Sequence, residues 1–190
     1  MTTDQGAPGQ GGASGGAVST AVEALNAFSG TDLADLCDAT EAAILDGGGF
    51  GWLKPPPRSL LEAYWKGVLL VPERHLFVAR LDGVVAGSAQ LARPARNNEA
   101  QAFNAHLTSL FMAPWARGYK LGTRLVHAVE EAAREGGVEV LNIDIRDTQK
   151  VALHLYESLG YIRWGTHPAY ARVNGETVPG HYFYKVLGQR

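Results

Sequence analysis

The stretch Leu110-Phe-Met-Ala-Pro-Trp-Ala-Arg-Gly-Tyr-Lys-Leu-Gly122, running on into Thr123, decides how the chain is read. It begins as the end of an apolar run, Ala102–Met112, that reads as a strand stopped by Pro114, because proline brings no N–H to a ladder. It leads into Gly122–Arg134, where Leu125, Val126, Val129, Ala132 and Ala133 fall on one helical face before Gly136-Gly137 closes the helix. A strand that feeds a glycine-containing turn into a helix start offers free backbone N–H groups at the positive end of a dipole, which suits a phosphate. Arg117 and Lys120 add cations, while Gly118 and Gly122 also have a plainer reading as turn residues. The stretch lacks the glycine spacing of a P-loop and of a dinucleotide fold, so ATPase and dehydrogenase readings lose support.

Downstream, Val138–Ile145 reads as a strand with Leu141, Ile143 and Ile145 on one face and Asn142 and Asp144 on the other. Asp147 or Thr148 is expected to cap a helix reaching Leu159, and Tyr161–Trp164 to open another strand. Asn174-Gly175 then turns Tyr170–Val173 into a closing strand near His181–Leu187. Upstream, Leu76–Leu91 reads as two strands about Asp82-Gly83, a pair that accepts the positive φ angles of a tight hairpin. Leu33, Leu36, Cys37, Thr40 and Ile44 have helical spacing and end at Gly47-Gly48-Gly49, and Ser59 with Glu62 forms a capping-box pattern opening a second helix. Pro55-Pro56-Pro57 forbids regular structure between the two. Ala17–Phe28 is read as a first strand rather than a short helix. The order is that of an α/β protein with a mixed sheet and a βαβ unit in its middle, whose strand-to-helix loop lies at the edge where ligands bind.

The 190 residues, 46% hydrophobic and 19% charged, fit one globular domain over 17–190, preceded by a flexible Gly-rich tail over 1–16 with one charge and nothing to bury. With 17 Lys+Arg against 19 Asp+Glu and no basic cluster, neither nucleic acid nor an anionic membrane is an expected partner. The single Cys37 excludes an internal disulfide and a CxxC metal knuckle and fits a reducing compartment. No apolar run reaches the roughly 20 residues of a membrane span, and no basic start precedes an apolar stretch, so a cytoplasmic address is expected. Asn142, Asp144 and Asp147 do not make metal-ligand spacing, and no metal is expected.

Leu110–Gly122 resembles the central motif of the GCN5-related N-acetyltransferases (GNAT), Leu-x-Val-x-Pro-x-x-Arg-Gly-x-Gly-x-Gly. Gln149-Lys-Val-Ala-Leu-His-Leu-Tyr-Glu-Ser-Leu-Gly-Tyr161 is similar to that family's Asn-x-x-Ala-x-x-Leu-Tyr-x-x-x-Gly-Phe. The resemblance runs from Leu76 to the C-terminus; the region before it, including GFGWLKPP and LLEAYWKGV, matches no family pattern. It implies a mixed, mostly antiparallel sheet flanked by helices, with acetyl-CoA as cosubstrate. Backbone groups of Leu110 and Met112 would pair with the pantetheine arm and polarise the thioester carbonyl. Backbone N–H groups from Arg117 through Gly118, Tyr119, Lys120, Leu121 and Gly122 to Thr123 would hold the pyrophosphate. Lys120 replaces the family's middle glycine, where its side chain either crowds the pyrophosphate or supplies a cation. Met112 replaces a valine whose role is through its backbone, and Gln149 replaces an asparagine that contacts the pantetheine arm or nearby backbone.

The resemblance makes Tyr156 the acid that protonates the departing thiolate; a phenol near pKa ~10 is protonated at neutral pH, and a thiol is near ~8.5. Its plainer reading is a core aromatic. The acceptor amine arrives as ammonium and needs a base, for which His106 is the first candidate, on a strand face read as shared with Thr108, Leu110 and Met112, with Glu99 second and a water chain equally open. Trp52, Tyr64, Trp65, Trp164 and Tyr170 either line an acceptor pocket or pack the core. The expected function is acetyl transfer from acetyl-CoA to a primary amine of a small molecule or peptide, by direct attack in a ternary complex. The alternative is a noncatalytic acyl-CoA or nucleotide sensor with the same fold. A homodimer is left open.

Overall fold

The two turn dipeptides fold as their residue types favour. Asp82 and Gly83 hold φ angles of 49° and 84°, and Asn174 and Gly175 hold 51° and 87°, so each closes a tight hairpin. A computed structural model of the protein describes residues 17–48 and 50–188; the tail expected over 1–16 and Gly49 of the glycine run lie outside the described residues.

The first hairpin joins β2 (Arg74–Leu81) to β3 (Val84–Ala92), and the second joins β6 (Ile162–Val173) to β7 (Glu176–Val186). With β1 (Thr20–Leu25), β4 (Asn104–Met112) and β5 (Val140–Arg146) they form one seven-stranded open sheet in the order β1-β2-β3-β4-β5-β7-β6. Every neighbouring pair is antiparallel except β4 and β5, which the crossover helix α3 (Leu121–Glu135) makes parallel. Helices α1 (Asp32–Leu45) and α2 (Arg58–Leu70) cover one face; α3 and α4 (Lys150–Ser158) cover the other. β2 is therefore buried on both sides, with Leu76 and Val78 against Trp65 and Leu36, and Phe77 and Ala79 in the cluster of Leu125 and Tyr156. Among the described residues no helix is long and apolar enough to cross a membrane.

Three local expectations are corrected. Helix α2 begins at Arg58 after Pro57, without a side-chain cap, so Ser59 lies inside it and Glu62 instead pairs with Arg58 at 3.5 Å and Lys66 at 3.9 Å. Helix α4 starts after Gln149 rather than being capped by Asp147 or Thr148, because the Asp147 carboxylate is taken by His181 at 2.7 Å and Lys150 at 2.6 Å. The strands expected at Tyr161–Trp164 and Tyr170–Val173 are one strand, β6, whose pairing with β7 skips between His167 and Ala171. Pro168, with no N–H to give, sits in that irregularity.

Candidate active site

The ladder between β4 and β5 covers three pairs, Asn104 with Val140, Ala105 with Leu141 and His106 with Asn142. Beyond them β4 runs on to Met112 while β5 stays paired with β7 as far as Arg146. From Leu107 onward, one edge of β4 therefore carries backbone groups with no strand to receive them. On its other edge β4 is bulged: Ser88 faces Phe111 and Gln90 faces Thr108, so Ser109 and Leu110 together oppose Ala89. Ser109 sits at φ 51°, a left-handed conformation that costs a non-glycine residue about 1–3 kcal/mol. A polar chain braces it: the Tyr64 hydroxyl lies 3.4 Å from Ser109 Oγ, Gln90 Nε2 donates to Tyr64 at 3.2 Å, and Arg74 donates to Gln90 at 2.8 Å.

The bulge inverts the side-chain alternation of β4. Ala105 and Leu107 before it and Leu110 and Met112 after it all face the α3/α4 cluster, whereas Phe111 faces α1 and α2. His106 and Thr108 thus lie on the opposite face from Leu110 and Met112, which corrects the expected shared face. His106 is solvent-exposed where β4 and β5 are still laddered, and Glu99 is exposed in a short turn before β4.

A cavity of about 290 Å³ opens where β4 meets the start of α3. Leu110, Met112, Arg117, Gly118, Lys120, Leu121, Gly122, Thr123 and Gln149 stand in its wall, with Ala152 and Leu155 of α4; Tyr119 does not. The first turn of α3 has no side-chain cap, and its first backbone bond runs from Arg124 N–H to the Lys120 carbonyl at 3.1 Å. The N–H groups of Leu121, Gly122 and Thr123 have no helical acceptor and form the positive end of the helix dipole. Gly118 holds φ 92° and Lys120 φ 57°, so the chain needs left-handed backbone at both to turn into the helix. A Cβ added at Gly122 would meet nothing closer than Leu155 at 3.8 Å, so its absence only keeps the cavity wall open.

The turn after α1 closes over this cavity. Arg117 binds Asp46 at 2.6 Å, Gln149 Nε2 donates to the Gly47 carbonyl at 2.5 Å, and Arg146 donates to the Gly48 carbonyl at 3.0 Å. Sequence reasoning missed this seam, whose partners are 71 to 102 residues apart.

Tyr156 is only 3% exposed, stands edge-on to Tyr161 with centroids 5.6 Å apart, and lies behind the cavity wall formed by its helix neighbours Ala152 and Leu155. Burial first, then the field of Asp144, pushes its phenol well above the usual range, so the proton stays on the oxygen.

A second cavity, about 460 Å³, occupies the opening between the strands. Leu107, Thr108 and Ser109 wall it from β4, Asp144, Ile145 and Arg146 from β5, and Tyr170 to Arg172 from β6; Gln149 belongs to both cavities. Thr108 Oγ1 is buried without a hydrogen-bond partner. The Tyr170 hydroxyl donates to Asp144, and burial together with that carboxylate raises its phenol above the usual range. Of the aromatic residues weighed for an acceptor pocket, Tyr170 lines this cavity, Trp65 is core with its N–H on Thr40 Oγ1 at 3.1 Å, Trp52 and Tyr64 pack against each other, and Trp164 is exposed. Among the described residues no group of three His, Cys, Asp or Glu is placed to hold a metal ion.

The acetyltransferase (GNAT) family matches residues 38–161. An N-acetyltransferase from the hisH-hisA intergenic region of Azospirillum brasilense, itself uncharacterised, is 61% identical over 129 residues, 68% of this chain and 77% of that protein. The N-alpha-acetyltransferase RimI of Mycobacterium tuberculosis is 31% identical over 107 residues, 56% of this chain and 64% of its own. The fold aligns with yncA of Salmonella typhimurium, solved with its cofactor acetyl-CoA, at a TM-score of 0.73 and 18% identity, covering 90% of this chain and 95% of that one. The chain belongs to the GNAT acetyltransferase family, and the activity class this supports is acetyl-CoA-dependent N-acetyl transfer.

Proposed function

We propose that the chain acetylates a primary amine by direct attack within a ternary complex, with acetyl-CoA in the first cavity and the acceptor in the second. The observation that carries this reading is the meeting of the two cavities at Gln149, beside the edge of β4 left open beyond His106. The donor set fits acetyl-CoA: an uncapped helix start, two cations and a mostly apolar wall lie along one cavity. Bound there, acetyl-CoA supplies the acyl group as an activated thioester.

The amides of Leu121, Gly122 and Thr123 would hold the pyrophosphate, with Lys120 supplying a charge and Arg117 available once released from Asp46. Backbone groups of Leu110 and Met112, on the stretch of β4 past the bulge, would fix the pantetheine arm and polarise the reacting carbonyl. Tyr156 would give its proton to the leaving sulfur. Its buried phenol resists ionisation, so transfer would be driven by the charge that develops on the departing sulfur. Asp144, the only carboxylate among the described residues of the second wall, would draw in the ammonium and pass its proton to water; exposed His106 stands in neither wall.

The test is thiol release from acetyl-CoA across amino acids, polyamines, aminoglycosides and short peptides, with each product identified by NMR. An N-acetyl product formed in step with the thiol is expected. Hydrolysis of acetyl-CoA without an acetylated amine would refute the reading.

A further inference from the structure

The second cavity carries a charge pattern that capture of an ammonium does not require. Its charged residues are one carboxylate, Asp144, and two guanidiniums, Arg146 and Arg172. An amine alone would find two like charges in such a wall an obstacle. Elsewhere several arginines face a carboxylate, Arg80 with Asp32, Arg117 with Asp46, Arg134 with Glu130 and Arg163 with Glu157, while Arg74, Arg93 and Arg124 are held by neutral oxygens of Gln90, Gly136 and Thr20. Arg146 uses one side-chain N–H on the Gly48 carbonyl at 3.0 Å and pairs with no carboxylate among the described residues; the Arg172 guanidinium has no hydrogen-bond or ion-pair partner among them.

These groups stand on strands. Arg146 ends β5 and is paired with Gly180 of β7, and Arg172 lies on β6 opposite Thr177. Tyr170 is fixed by its ring lying on Gly180, where an added Cβ would fall 2.1 Å from the ring, and by an edge contact with Tyr182 at 6.0 Å between centroids. Its hydroxyl holds the Asp144 carboxylate. Phe50, Leu53, Leu107 and Ile145 supply apolar wall, and about 460 Å³ is the volume of a small-molecule site.

Resting on the transferase reading above, we propose that the acceptor is a free amino acid with an apolar side chain. Arg146 and Arg172 hold its carboxylate, Asp144 receives its amino group beside the cavity that takes acetyl-CoA, and the apolar wall takes its side chain. A guanidinium matches a carboxylate with two parallel hydrogen bonds, so two of them select against acceptors whose carboxyl group is blocked or distant.

The experiment compares phenylalanine with phenylalaninamide, phenethylamine and a Phe-Ala-Ala peptide, and leucine with the corresponding set, on the wild type, Arg172→Gln and Arg172→Lys. The free amino acids should lead in kcat/KM by about tenfold or more, the worth of one charge-assisted pair. Arg172→Gln should erase most of that lead through KM for the amino acid while leaving KM for acetyl-CoA unchanged, and Arg172→Lys should restore part of it. Equal or better turnover of the amide, the decarboxylated amine or the peptide would overturn the proposal and leave the transferase reading standing. An equal loss on every acceptor in Arg172→Gln would also overturn it. No acetylation of any acceptor by protein that still binds acetyl-CoA would overturn the transferase reading itself.

Discussion

The proposed chemistry turns on Tyr156 and Lys120. Tyr156→Phe keeps the ring against Tyr161 and Phe183 and deletes one hydroxyl, so stability should change by no more than about 1 kcal/mol. Turnover should fall by roughly 10²–10⁴ if proton donation accompanies thiol departure, with coenzyme A binding intact. Steady-state rates beside melting curves and coenzyme A titrations check this, and unchanged turnover would make Tyr156 a packing residue. Lys120 occupies φ 57°, where glycine is at ease. Lys120→Gly should stabilise the free protein by about 1 kcal/mol. It should also weaken coenzyme A binding, with the gap from wild type narrowing at high salt; tighter binding by the variant would show that the side chain obstructs the phosphates. Identities at these positions were legible because glycine, proline and tyrosine act locally. The face of His106 was not, since an alternation rule carries no sign of where one extra residue enters a strand.

At the scale of elements, what the sequence showed least was how α1 is tied in. The Asp32 carboxylate is buried, accepts from the Ser29 N–H and hydroxyl at 3.0 Å each, and receives Arg80 of β2 at 2.8 Å. The helix entrance is thus fastened to the sheet by one side chain. The Arg80 hydrogen bond, helped by those of Ser29, holds its carboxyl below the usual range, outweighing the opposing effect of burial. A depressed folded-state pKa means stability present above the unfolded value near 3.9 and lost as pH falls through the folded one. Asp32→Asn should therefore cost about 1–3 kcal/mol at pH 7, and the difference should shrink at pH values well below 4. Urea midpoints of both proteins across that range test it, and a gap independent of pH would contradict it. The hairpins were legible because Asp-Gly and Asn-Gly encode a turn in two residues. The seam of Asp46–Gly48 on Arg117, Arg146 and Gln149 was not, because its code is split between distant segments whose meeting depends on the whole sheet.

For the whole molecule, the parallel pair inside an otherwise antiparallel sheet is what creates a site. The order of strands and helices implied that pair, but the sequence could not show that the ladder stops after three residue pairs and leaves room for two ligands side by side. Two adjoining cavities make sense of direct transfer, since both substrates can be present when the amine attacks and no side chain need carry the acetyl group. Initial rates measured over a grid of acetyl-CoA and acceptor concentrations test that claim most directly. The account predicts reciprocal plots that intersect, the signature of a complex holding both substrates. Parallel lines, with an acetylated enzyme trapped when the acceptor is withheld, would contradict it.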